Sequence, residues 1–200
     1  MKTKFDYELK KVFKDIAVIE YGVIEGNNTV VFIKAGQDGS HIGYNNKYVK
    51  MASMISNKYG CTVIISSNPF DGNNPLDNDL EVIDDVMMVK EYEIYYLGFS
   101  NGGIIGLQFG TNYEKIKKII SVNAPLMINY HKTKDGILKF KGKELTLVYG
   151  SKDQSFRYVP LLDGIDNSKM KVVILENEDH HISRDSKNFY SIPDLFFKEM

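Results

Sequence analysis

This chain has a single cysteine, almost no net charge, no long apolar run, no internal repeat and no low-complexity tract. With Cys61 alone there is no internal disulfide, so the small stapled folds of secreted proteins are excluded. Cys61 opens the apolar run Cys61-Thr62-Val63-Ile64-Ile65, the setting of a buried, inert thiol rather than a nucleophile. Basic residues number 25 against 26 acidic ones, and a net charge of -1 supplies no overall field for nucleic acid or an anionic membrane. No apolar stretch approaches the length of a membrane span, and Met1-Lys2-Thr3-Lys4-Phe5-Asp6-Tyr7-Glu8-Leu9 lacks the apolar segment of a signal peptide. The expectation is a cytoplasmic protein with no nucleic-acid or membrane partner; nothing in the sequence fixes an oligomeric state.

What is present suits one globular domain over residues 1–200. Hydrophobic residues make up 43% and aromatic residues 12%, enough for one sizeable core and too little chain for a second. Loose alternation over 5–21 predicts two short strands joined near Lys14 and Asp15. Further strands are read at Thr29–Ile33, Cys61–Ser66, Ile94–Phe99, Ile116–Val122, Glu144–Tyr149 and Met170–Leu175. Helical spacing places Tyr48, Met51, Met54 and Ile55 on a helix near 45–59, and Leu80, Ile83, Val86, Met87 and Tyr92 on another over Asp77–Tyr92. Asn123–Gly142 has no strong period and reads as a connection. A terminal helix near 186–199 is interrupted at Pro193. Strands alternating with helices imply an α/β fold: a mostly parallel central sheet flanked by helices, whose functional groups gather at the carboxyl ends of the strands.

The sequence is organised around residues 94–106, a buried strand, a turn and a glycine-rich apolar helix. Gly98-Phe99-Ser100-Asn101-Gly102 fits G-x-S-x-G, in which glycines let strand and helix approach while the serine is held in strained backbone. The bland alternative makes Ser100 a helix N-cap. A serine hydroxyl needs a histidine base, and the histidine a carboxylate to orient it. Asp153 follows one predicted strand and His180 and His181 follow another, so the order is Ser, Asp, His. Asp153 could equally be a turn or capping residue, Asp163 and Asp166 are weaker rivals, and the histidines could lie in a plain surface loop.

At these motifs the chain resembles the α/β-hydrolase family, from about Asp15 onward. Gly98–Gly102 matches the family's nucleophile elbow. Leu147-Val148-Tyr149-Gly150-Ser151-Lys152-Asp153 is similar to its apolar strand leading to G-x-x-D, and Asn177-Glu178-Asp179-His180-His181-Ile182 to its histidine segment. The resemblance implies catalytic Ser100, Asp153 and His180, with His181 as the alternative base. It implies an oxyanion hole from the N–H groups of Gln37 and Asn101. The family's H-G pattern is missing from Lys34-Ala35-Gly36-Gln37, where Lys34 or Ala35 stands in the histidine's place.

The expected activity is that of a serine esterase acting on a small acyl substrate without a cofactor or metal. A thioesterase, a peptidase and a noncatalytic binding protein of the same fold are the alternatives. With about twenty residues in Asn123–Gly142 a large cap does not fit. Loop position nominates Asp38, Phe70, Leu126 and Phe156, with Gln37, as substrate contacts. Asp38 and His41 otherwise read as solvated loop residues. Asp71–Asp77 fails as a calcium loop because Pro75 and Leu76 occupy ligand and glycine positions. Glu176, Glu178, Asp179, His180 and His181 match no familiar zinc spacing, and no G-x-G-x-x-G follows the first parallel strand, which argues against a dinucleotide site.

Overall fold

The computed structural model describes residues 3–13, 17–69, 76–88 and 91–198. Among these, eight strands form one sheet: β1 (Tyr7–Phe13), β2 (Ala17–Ile24), β3 (Asn27–Lys34), β4 (Cys61–Ser66), β5 (Glu93–Phe99), β6 (Ile116–Val122), β7 (Glu144–Gly150) and β8 (Met170–Leu175). Their spatial order is β1-β2-β4-β3-β5-β6-β7-β8. β1 pairs antiparallel with β2, and β2 antiparallel with β4; every later pairing is parallel.

The strand sequences explain this layering. β1 alternates half-buried and exposed residues, as an edge strand with one wet face does. β4, β5 and β7 are buried on both faces along nearly their whole length, as is β3 from Val30 onward. Because successive side chains point to opposite faces, Val30, Phe32, Ile94, Tyr96, Leu145 and Leu147 join one core cluster. Val31, Ile33, Tyr95, Leu97 and Val148 join the other. The first cluster is covered by α2 (Asp77–Met87), α3 (Asn101–Phe109) and α4 (Tyr130–Lys139). The second is covered by α1 (Lys47–Tyr59), α5 (Ser186–Ser191) and the 3-10 turn Ile192–Phe196 that follows it. Cys61 is buried there, and desolvation pushes its thiol up to about 11, which suits an inert residue. Among the described residues no helix is long and apolar enough to cross a membrane.

Three elements differ from the sequence reading. The helix expected over Asp77–Tyr92 ends at Met87, because Met88 turns into left-handed backbone (φ 48°). Tyr92 lies beyond it, its hydroxyl donating to Asp84. Asn123–Gly142, read as a connection, contains α4. Its buried residues are Thr133, Gly136 and Ile137, and a Cβ on Gly136 would meet the Leu107 carbonyl at 2.0 Å. The helix therefore seats by close backbone approach at Gly136 together with burial of Ile137 in the first core cluster. Lying against α3, it is no cap over the sheet's carboxyl edge. Finally, α5 stops at Ser191, with Pro193 already in the 3-10 turn.

Candidate active site

β5 leads straight into Ser100. A Cβ on Gly98 would sit 2.3 Å from the Gly102 carbonyl oxygen, and one on Gly102 would sit 2.5 Å from the carbonyl oxygens of Lys34 and Ala35. Only glycine permits this crossing of strand, helix and neighbouring loop. Ser100 itself adopts φ 51° and ψ -116°, a sparsely populated conformation costing about 1–3 kcal/mol. Its N–H donates to the Val122 carbonyl at 2.8 Å, tying the strained turn to β6. Ser100 occupies the N-cap position of α3, but its side chain makes no capping hydrogen bond.

The hydroxyl instead faces His180, with Oγ 3.0 Å from Nε2. Nδ1 of the same ring pairs with Oδ2 of Asp153. A carboxylate only accepts, so Nδ1–H donates to Asp153 and Nε2 is left to accept from the serine. Asp153 also serves as the turn cap, its Oδ1 accepting from the Ser155 N–H. Burial would raise the Asp153 carboxyl, but the His180 and Ser155 hydrogen bonds and the histidine's charge hold it below the ordinary carboxylate value. The hydrogen bond to Asp153 raises His180 above the ordinary 6.5, against burial and the charge of Lys47, which lower it. Asp163 and Asp166 are exposed. His181 lies edge-on against His180, ring centroids 5.4 Å apart, and its N–H donates to Asp179.

The loop after β3 runs beside the elbow because Lys34 and Gly98 are paired in the sheet. A Cβ on Gly36 would lie 3.5 Å from the Ser100 Cβ. Among the described residues neither the Gln37 nor the Asn101 main-chain N–H is taken by another group. Both stand beside Ser100 in the chain or in its neighbouring loop, without a partner among the described residues.

Several supporting residues carry no sequence motif. Asn68 donates through its amide to the Ala35 carbonyl and to Oδ1 of Asn101, both at 3.0 Å, pinning the β3 loop to the elbow. Asn123, fully buried and left-handed (φ 49°), accepts from the Gly150 N–H at 2.8 Å. Its amide donates to the carbonyls of Asp179 and His180 at 3.1 and 2.9 Å. Glu178, 1% exposed, accepts from the Arg184 and Asp185 N–H groups and from the Asn188 amide. Glu178 and Asp179 thus brace the histidine loop, and among the described residues no cluster of His, Cys, Asp and Glu could hold a metal ion. Beneath the β3 loop, buried Lys34 pairs with buried Asp79 at 2.7 Å and donates to Ser66. Tyr21 donates to the same carboxylate. Burial pushes Asp79 up from its ordinary range, opposed by Lys34 and Tyr21.

A groove of about 330 Å³ opens over Ser100 and His180, walled by Gln37, Tyr44, Lys47, Tyr48 and Phe99. The substrate contacts nominated from loop position fare differently. Gln37 borders the groove. Asp38 is exposed on the same loop but outside the wall, its N–H donating to the Asn68 carbonyl. Leu126 is 0% exposed inside the core, and Phe156 packs half-buried against that core. Phe70 lies outside the described residues, as does most of Asp71–Asp77. His41 is also corrected: it is 6% exposed, stacked on Phe5, with Nε2 2.9 Å from the Glu8 carboxylate. Tyr44, Lys47 and Tyr48 went unnoticed as groove residues. The signal was available in topology, because a helix that follows a parallel strand's carboxyl-end loop starts beside that edge of the sheet.

No protein-family model matches the sequence, and no curated protein matches it significantly. Solved structures do match. Est1E from Butyrivibrio proteoclasticus superposes with a TM-score of 0.75 at 16% identity, over 95% of this chain and 97% of that one. An alpha-beta serine hydrolase homologue from Coxiella burnetii gives 0.74 at 16%, over 99% and 100%. The fold is that of the α/β hydrolases. A thioesterase domain from the curacin biosynthetic pathway shares this α/β-hydrolase fold at a TM-score of 0.64 and 13% identity, over 93% and 98% of the two chains.

Proposed function

We propose that this protein is a serine hydrolase that cleaves a small carboxylic ester through an acyl-enzyme. The observation that carries the reading is the unbroken hydrogen-bonded chain from Ser100 through His180 to buried Asp153. His180 Nε2 takes the Ser100 proton as Oγ attacks the ester carbonyl, and Asp153 stabilises the imidazolium that forms. The Gln37 and Asn101 N–H groups donate to the tetrahedral oxyanion. His180 returns its proton to the departing alcohol, leaving Ser100 acylated. Water, deprotonated by His180, then attacks the acyl carbonyl, and the acid leaves as Ser100 recovers its proton.

The open groove, which no cap covers among the described residues, supports a small or exposed acyl group rather than a long enclosed chain. An ester is favoured over an amide because an alcohol is the easier leaving group. The test is labelling with a fluorophosphonate, with Ser100→Ala and heat-denatured protein as controls. Labelling confined to the native wild-type protein is the expected result, followed by turnover of a panel of esters, thioesters and peptides. Absence of labelling in folded protein at pH 8 would overturn the reading and favour a noncatalytic binding role. Preferential turnover of thioesters would reassign the substrate class while keeping the mechanism.

A further inference from the structure

Among the described residues one lysine borders the groove, and it makes no ion pair. Lys47 is the first residue of α1 and borders the groove beside Ser100, His180 and Tyr48. Its stem is half-buried, and its ammonium lies 4.9 Å from the Phe189 ring centroid and 5.3 Å from that of Tyr48. Among the described residues that ammonium has no hydrogen-bond or ion-pair partner. Among the described residues no Asp or Glu borders the groove. Asp179 is the acidic group near enough to act on Lys47. Its carboxylate, however, is already engaged by the Ser183 hydroxyl, the His181 and Ser183 N–H groups and, at 3.6 Å, Arg184 Nε.

A lysine that served only to keep the surface wet would extend into water, since its stem is flexible and its ammonium strongly hydrated. Here two aromatic rings hold it back. Desolvation lowers its pKa from the ordinary lysine value, with Asp179 opposing. A cation that has lost part of its hydration gains more from an incoming anion than a fully solvated one does. The charge is also close enough to act on His180, so an anion bound to Lys47 would lie close to the reacting ester.

We propose, building on the ester-hydrolase reading, that Lys47 binds an anionic group of the substrate. The preferred substrates are then esters that carry a second, ionised group such as a carboxylate near the scissile bond. The lysine contributes to binding and orientation; it takes no part in proton transfer.

The test uses matched esters that differ only in whether a remote carboxylate is free or methylated. Monophenyl adipate with its methyl ester places the anion on the acyl side; 4-acetoxybenzoate with its methyl ester places it on the alcohol side. Turnover of the phenyl ester bond is followed for the wild type, Lys47→Met and Lys47→Arg, with melting curves to verify folding. In one of the two pairs Lys47→Met is expected to lower kcat/KM for the anionic ester by about tenfold more than for its neutral partner, with Lys47→Arg keeping most of the preference. For the wild type alone, kcat/KM divided by the hydroxide hydrolysis rate is expected to favour the anionic member. Equal losses within both pairs, or a wild type that disfavours both anions after that correction, would overturn the role of Lys47 while leaving the hydrolase reading intact. Failure of wild type to turn over any of the four esters, the neutral ones included, would overturn both.

Discussion

Asn123 offers the sharpest test of how the fold supports the site, because one buried amide spans the ends of two strands and the histidine loop. Asn123→Ala removes one acceptor from the Gly150 N–H and two donors from the Asp179 and His180 carbonyls. At a net of ~1 kcal/mol per hydrogen bond these contribute ~3 kcal/mol, with the buried Gly150 N–H left unpaired. Alanine in left-handed backbone adds ~1 kcal/mol, so the total is ~4 kcal/mol. For a chain of this size each kcal/mol lowers Tm by about 2–4 °C, giving a fall of about 8–16 °C. The chemistry should suffer separately, because among the described residues no other hydrogen bond fastens the His180 carbonyl to the sheet. The fluorophosphonate labelling rate, measured well below the melting point, is expected to fall at least about tenfold. Asn123→Gly keeps the backbone freedom and isolates the hydrogen-bond share, about 1 kcal/mol milder. A Tm within about 2 °C of wild type, together with an unchanged labelling rate, would refute the reasoning.

Two further perturbations address the reacting groups and the buried charge. His180 acts as a base only when neutral, and its pKa is raised by Asp153. Activity is therefore expected to rise with pH through a midpoint above the ordinary 6.5. Asp153→Asn should move that midpoint down and lower kcat by up to about 10⁴-fold; a pH-rate profile checks both, and an unmoved midpoint would count against the pairing. Lys34→Met leaves the Asp79 carboxylate buried without its cation, an expected cost of about 3–5 kcal/mol in urea unfolding. Lys34→Met combined with Asp79→Leu should recover most of that loss; a single variant within about 1 kcal/mol of wild type would show that the pair is not held as drawn.

Much of the fold was legible because strand burial and helix amphipathicity leave a period in the sequence. β4, β6 and β8 fall where apolar runs place them, and β5 runs into the G-x-S-x-G turn. Position after strand ends points to Ser100, Asp153 and one of His180 and His181, the family resemblance favours His180, and Ser100, His180 and Asp153 lie in one hydrogen-bonded chain. α4 escaped notice because Gly136 and Thr133 share its contact with Ile137, and closeness of backbone has no hydrophobic signature. Leu126 was misjudged because its position after β6 says nothing of direction, and its side chain turns into the core. Asn68, Asn123 and Glu178 were invisible for another reason: each binds main-chain groups distant in sequence, which no local motif encodes. Lys47 is legible on its helix, and its place in the groove follows only with the further step that a helix after a parallel strand's carboxyl-end loop starts beside that edge of the sheet.

The cover over the second core cluster has a consequence for the order in which the protein is made. Ile182, Phe189, Ile192 and Phe196 belong to that cluster, and Lys118 reaches across to the Phe196 carbonyl. All four lie downstream of β8, as do His180 and the Asp185 and Asn188 groups that secure Glu178. A ribosome emits the elbow and the β3 loop long before these residues. Until they emerge, the α1 side of the sheet is missing part of its apolar cover and Ser100 lacks its histidine partner. Burial of that face and arrival of His180 are thus completed by the same stretch of chain, so a nascent chain stopped after β8 has neither a finished core nor, on the proposed reading, a base for its serine.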